Sequence, residues 1–165
     1  MRSRFVFGLI LFGCLQVAVT PLFLPAQIRV ALPEVSVHPG TQISIPVRIG
    51  ELAGEKVTAF EFVVSCDTNI VLLQGVDQRG TLSEGLTMFA NNRVAPFGRG
   101  RMKVVCASAN PLSGNGVLVN ILASTRKRAG TTPLKLTEFV LNAGKPSVET
   151  VHGAAKIGRK PGGKK

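Results

Sequence analysis

The sequence predicts an all-β domain, a sandwich or a barrel, on three observations. Short apolar stretches alternate with period two, the period of a half-buried strand. Clusters of Gly, Pro and Asn separate them at intervals that suit turns between strands. No segment sustains a 3.6-residue apolar period with capping residues at its ends. With 165 residues and a hydrophobic fraction of 45%, the chain suits one domain with a real core rather than a disordered polyelectrolyte.

The first 26 residues read as an export leader. Arg2 and Arg4 precede an apolar run over residues 5–15, a positively charged start followed by a short hydrophobic stretch. A spanning helix needs about 20 apolar residues, and Gln16, Thr20, Pro21 and Pro25 interrupt this one. Cleavage after Ala26 is expected, with an uncleaved N-terminal anchor as the alternative. The domain organisation is then a signal peptide over 1–26, a β-sandwich over 27–157 and a basic flexible tail over 158–165. The mature protein is expected to be secreted or associated with the cell envelope.

The strands follow in order. Ile43, Ile45, Val47 and Ile49 share one face, and His38-Pro39-Gly40-Thr41 before them is a turn signal. Phe60, Phe62, Val64 and Cys66 form a second inward row, which leaves Ala59, Glu61, Val63 and Ser65 facing outward. Residues 69–76 read as a third run and 86–91 as a short fourth. Gly98-Arg99-Gly100 turns into residues 101–107, where Met102, Val104 and Cys106 alternate with Arg101, Lys103 and Val105. Asn115-Gly116 introduces residues 117–123, and runs over 133–141 and 148–157 complete the series.

Removal of Cys14 with the leader leaves Cys66 and Cys106 in a compartment where disulfides persist. A bridge would close 41 residues and be worth about 4 kcal/mol in the chain-entropy model. Two small buried core residues are the alternative. There is no Cys-x-x-Cys, and His38 and His152 are far apart in sequence, so no metal site and no cofactor are expected.

Five segments, taken in order, resemble bacterial cohesin domains. They are His38-Pro-Gly-Thr-Gln-Ile-Ser-Ile-Pro-Val47, Ala59-Phe-Glu-Phe-Val-Val-Ser-Cys-Asp67 with Leu72-Leu73 after it, Ala107-Ser-Ala-Asn-Pro-Leu-Ser-Gly-Asn-Gly-Val-Leu118, Thr132-Pro-Leu-Lys-Leu136 and Val148-Glu-Thr-Val-His-Gly-Ala-Ala-Lys-Ile157. The resemblance covers roughly residues 28–157. It implies a nine-stranded jelly-roll sandwich, related in fold to carbohydrate-binding modules, that captures a calcium-loaded dockerin on one flat sheet face. Carried over by position, it implies a partner-binding face of Ala59, Glu61, Val63 and Ser65, beside Arg101, Lys103 and Val105 and the outward residues of 86–91. Leu112 and Asn115 would stand at its rim. The sequence departs from the family pattern at Cys66, where Tyr is usual, and at Thr68, where Pro usually follows the Asp. Arg101 and Lys103 would make the face basic, and either could pair with Glu61 across neighbouring strands.

Composition narrows the function further. The aromatic fraction of 5% is all Phe, with no Trp or Tyr, which counts against a stacking platform for sugars or bases. Asp67 and Asp77 are the only aspartates, and neither a Gly-x-Ser-x-Gly elbow nor a Gly-Lys-Ser/Thr loop occurs, so no catalytic residues and no enzyme activity are expected. The net charge is +11, and the last ten residues hold Lys156, Arg159, Lys160, Lys164 and Lys165 with no acid. Such an end draws anionic polymers through salt-sensitive forces. In an exported protein these are envelope polymers rather than a specific nucleic acid, and Arg126-Lys127-Arg128 adds to the basic surface. The sequence therefore points to an exported, non-catalytic module that docks a dockerin-like protein, linked to polysaccharide-degrading or surface assemblies. The alternatives are direct carbohydrate binding by the same sandwich, or a structural envelope protein tethered by its tail.

Overall fold

The computed structural model describes residues 27–158 apart from Ala53. The expected leader, and the tail beyond Gly158, lie outside the described residues. Within them the chain forms eleven strands and no helix: β1 Ile28–Ala31, β2 Glu34–Val37, β3 Gln42–Ile49, β4 Val57–Ser65, β5 Val71–Asp77, β6 Thr87–Asn91, β7 Arg101–Leu112, β8 Gly116–Thr125, β9 Gly130–Leu141, β10 Val148–Val151 and β11 Gly153–Ile157. They make a five-stranded sheet in the order β10-β1-β3-β8-β5 and a six-stranded sheet in the order β2-β11-β9-β4-β7-β6.

The nine expected strands become eleven because two runs change sheets. β1 runs parallel to β10, and β2 runs parallel to β11. Leu32-Pro33 separates the first two and His152 alone separates the second two, so both chain ends cross between sheets side by side. Pro33 has no N–H to continue a ladder. Counted as continuous runs, the two crossing pairs bring the number back to nine.

The core is the layer between the sheets. Ile45, Val47, Leu73, Leu118 and Ile121 come from one side, and Phe60, Phe62, Met102, Leu134 and Leu136 from the other, all essentially inaccessible to water. Alternation dictates this: Ile45, Val47 and Ile49 are buried as the period-two pattern requires. Phe139 lies parallel to Phe62 at 5.5 Å between ring centroids, and a buried ring of this size contributes about 1.5–3 kcal/mol by transfer from water.

Two sequence expectations are corrected here. β7 continues past Ala107 as far as Leu112, which sits opposite Val57 and is buried in the core, so Leu112 is no rim residue. Cys66 and Cys106 are free thiols. The β4–β7 register sets Cys106 opposite Phe60, six residues along the strand from Cys66, which is about 20 Å of extended chain. A disulfide needs Cα atoms within about 7 Å. The Cys66 Sγ donates instead to the Val71 carbonyl at 3.4 Å. Burial, helped by the neighbouring Asp67 charge, pushes the Cys66 thiol up to about 12. Burial alone raises Cys106 to about 11.

Candidate partner-binding face

The outer face of β9-β4-β7-β6 is a grid built by antiparallel pairing, in which directly opposed residues share a face. One row runs Ala59, Ala107, Thr87; the next Val140, Glu61, Val105, Phe89; the next Thr137, Val63, Lys103, Asn91; the last Lys135, Ser65, Arg101. The predicted residues of β4 and β7 are thus brought together as expected. The first row is flat because Ala59 and Ala107 carry only methyl groups.

Val63 departs from expectation. It shares the parity of Glu61 and Ser65 but is fully buried. Lys103 and Thr137 flank it directly across the two ladders. On either side of it along β4, Lys103 Nζ meets Glu61 Oε2 at 3.1 Å and Arg101 Nη2 meets Glu138 Oε1 at 2.8 Å. One ion pair ending on β4 and another passing over it leave the valine between them no surface to offer.

The same pairs compensate the two cations expected to make the face basic, while Lys135 in the last row has no acidic partner among the described residues. Lys103 finds Glu61 as anticipated, but Arg101 reaches over β4 to β9. A bulge makes this possible: the β4–β9 register shifts between Glu61 and Val63, and Glu138 takes a φ of 53°. The extra residue turns Phe139 into the core and releases the Glu138 carboxylate to the surface. Asn115 stands apart from the grid in the turn between β7 and β8, where its Nδ2 donates to Glu51 Oε2 at 2.8 Å.

Sequence reasoning named the 86–91 run but not its centre, and it missed the loop beyond. Phe89 is 72% exposed, Val94 67% and Val105 38%. Phe89 is directly opposite Val105. With Phe97, these apolar side chains line a groove of about 500 Å³ whose polar edge includes Arg93 and Lys103. The Asn91 Oδ1 accepts from the amides of Arg93 and Val94, and the Phe97 amide donates to the Val94 carbonyl, which folds the loop against the sheet edge. The Arg101 guanidinium lies 5.4 Å from the Phe97 ring centroid. The available signal was an apolar run, Val94-Ala-Pro-Phe97, inside a segment otherwise reading as a turn.

No grouping of three His, Cys, Asp or Glu side chains among the described residues is placed to hold a metal ion. His152 uses its Nδ1 to accept the Leu136 amide at 3.1 Å, a structural contact beside the sheet crossing. The outer face presents an apolar patch at its β6–β7 edge, two ion pairs beside it and a flat row at Ala59 and Ala107.

Comparisons with known proteins agree with this architecture. The family model described as Cohesin domain matches residues 28–156. Among solved structures, a non-cellulosomal cohesin from the archaeon Archaeoglobus fulgidus is 20% identical with a TM-score of 0.66, covering 81% of this chain and 92% of its own. The sixth cohesin of scaffoldin B from Acetivibrio cellulolyticus, solved in complex with a mutant Cel5 dockerin, is 15% identical with a TM-score of 0.67, covering 81% and 100%. An OlpA cohesin from Clostridium thermocellum, solved as a type I complex with a dockerin, is 18% identical with a TM-score of 0.63, covering 80% and 99%. No curated protein sequence matches the chain. With more than half its length under one family model and the sandwich to go with it, the chain belongs to the cohesin family.

Proposed function

We propose that this cohesin is a non-catalytic module that docks a dockerin-like domain, itself calcium-loaded, on the outer face of β9-β4-β7-β6. The observation that carries the reading is Phe89, 72% exposed beside Val105 and Val94. A contiguous apolar patch on a domain surface marks an interaction site, and here Lys103, paired with Glu61, and Arg93 supply polar residues at its edge. Docking of ordinary size would bury about 800 Å² on each partner. The complexes of related cohesins with dockerins support the choice of partner. The setting belongs to the same proposal: residues 1–26 export the chain, the partner belongs to a polysaccharide-degrading or surface assembly, and the basic end adds salt-sensitive adhesion to anionic envelope polymers.

The test is capture. The immobilised protein meets the secreted proteins of its own organism with and without a calcium chelator. Recovery of a dockerin-like protein that chelation releases, weakened at least tenfold by Glu61→Arg, supports the proposal. Calcium-independent capture of anionic polymer alone, removed by moderate salt, overturns it.

A further inference from the structure

At the open edge of the sandwich, β5 carries a bulge at Gln74, where its register with β8 shifts between Leu73 and Gly75. The β6–β7 loop is tied to this bulge from two directions. The Leu73 amide donates to the Arg99 carbonyl at 2.7 Å. The Asn92 Nδ2 donates to the carbonyls of Leu73 at 3.1 Å and Gln74 at 2.9 Å, and Asn92 is only 9% exposed. These bonds hold open a cleft of about 420 Å³ lined by Gln74, Asn92, Arg93, Arg99 and Ser124. Its volume falls in the range of small-ligand sites.

The charges of the cleft are uncompensated. Four ion pairs are formed among the described residues, and neither Arg93 nor Arg99 takes part in any of them or in a side-chain hydrogen bond. Gln74 and Ser124 likewise have no side-chain partner among the described residues. Arg126, two residues beyond Ser124, is held by a bond from its Nε to the Thr68 carbonyl at 3.2 Å, and with Lys127 and Arg128 it adds positive potential that steers anions.

We propose that this cleft binds a carboxylate-bearing sugar, a uronic-acid unit of an acidic polysaccharide. Guanidinium groups are always charged, weakly hydrated and shaped to grip a carboxylate with paired N–H donors. Gln74 and Ser124 supply neutral donors and acceptors, which suit ring hydroxyls and which a bare phosphate leaves unused. The cleft contains no aromatic ring, so recognition rests on charge and hydrogen bonds rather than stacking. The groove of Phe89 shares Gln74, Asn92 and Arg93 with the cleft, but the inference stands independently of dockerin binding.

The experiment is a calorimetric titration of the full chain with trigalacturonate, galactotriose and inorganic phosphate. Trigalacturonate is expected to bind saturably, and galactotriose and phosphate at least tenfold more weakly. Arg99→Gln and Arg93→Gln should each weaken trigalacturonate at least tenfold with unchanged melting, since neither side chain holds the fold together. Lys127→Gln, which removes one charge of the general field, should change it less than twofold. The inference is overturned if galactotriose or phosphate binds as well as trigalacturonate, if Arg99→Gln or Arg93→Gln binds like the parent, if Lys127→Gln costs as much as Arg99→Gln, or if no saturable binding occurs.

Discussion

Lys103 Nζ lies 3.1 Å from Glu61 Oε2 across the β4–β7 ladder, beside the fully buried Val63. The pair is half exposed, and exposed pairs contribute about 1 kcal/mol or less. It neutralises the surface at this point of the face rather than holding the fold. Glu61→Gln should therefore shift the urea midpoint by an amount worth less than about 1 kcal/mol. Glu61→Arg should place three cations together and reduce dockerin binding at least tenfold. Denaturation and calorimetric titration of the same samples separate the two effects.

Phe89 offers the sharpest separation of stability from binding. Its ring is 72% exposed, whereas Phe62 is fully buried. Phe89→Ser should leave stability within about 0.5 kcal/mol of the parent, as surface substitutions do, while lowering partner affinity tenfold or more. Phe62→Ala should cost about 3–5 kcal/mol through lost transfer energy and a cavity. An affinity unchanged by Phe89→Ser would move the docking centre off β6.

The two thiols predict a pH dependence. Burial raises Cys66 to about 12 and Cys106 to about 11 from the ordinary 9.0. The folded state therefore keeps its thiol protons after the unfolded chain has begun to lose them. Stability from this source is complete below about pH 9 and falls as pH rises from there through 11 and 12. Cys106→Ala should lessen that alkaline fall in a series of denaturant melts, leaving the part due to Cys66. Because both thiols are free, reductant should leave the melting temperature unchanged. Alkylation of the buried Cys106 should require denaturant.

How much was legible follows from the range of each interaction. The inward rows of β3 and β4 were readable because alternation is local, and Ile45, Val47, Phe60 and Phe62 are buried as the pattern demands. Ala59, Glu61, Arg101 and Lys103, set side by side by the family resemblance, do share one face of the sheet. The burial of Val63 was hidden, since it depends on charges contributed by β7 and β9. That Glu61 takes Lys103 while Arg101 takes Glu138 was hidden, because the bulge that frees Glu138 is a register property, invisible in spacing. The cysteines misled for the same reason: both end apolar runs, but strand register rather than position in a run decides which residues meet. Phe89 and the cleft at Gln74 needed the loop over residues 92–99 to be placed against β5.

Asn142 ties the end of β9 to the start of β4. Its Oδ1 accepts from the Thr58 amide at 2.9 Å and the Ala59 amide at 3.1 Å, while Nδ2 donates to the Lys56 carbonyl at 3.0 Å. Its φ of 47° is left-handed, a region that Asn tolerates better than most residues. Asn142→Ala loses the bonds and keeps the strained backbone, at about 2 kcal/mol or more. Asn142→Gly should recover about 1 kcal/mol of this by relieving the backbone alone. Urea midpoints of the two variants should rank in that order.

Gly153 marks the point where both chain ends cross between sheets. A Cβ there would collide with the Pro33 carbonyl and come within 2.9 Å of the Leu32 side chain and carbonyl, all from the strand pair that crosses alongside. Two of these obstacles are backbone, which cannot rotate away. Gly153→Ala should therefore destabilise by about 1–3 kcal/mol, the cost of overpacking, despite adding one methyl group. Gly40→Ala provides the contrast. Nothing lies within 4 Å of a Cβ at that position, but its φ of 75° is left-handed, so its cost is backbone strain alone, about 1–2 kcal/mol. Hydrogen exchange distinguishes the two mechanisms. Gly153→Ala should loosen the β1–β10 and β2–β11 amides together, because the parallel pairs share the crossing, whereas Gly40→Ala should leave the β1–β10 amides protected as in the parent.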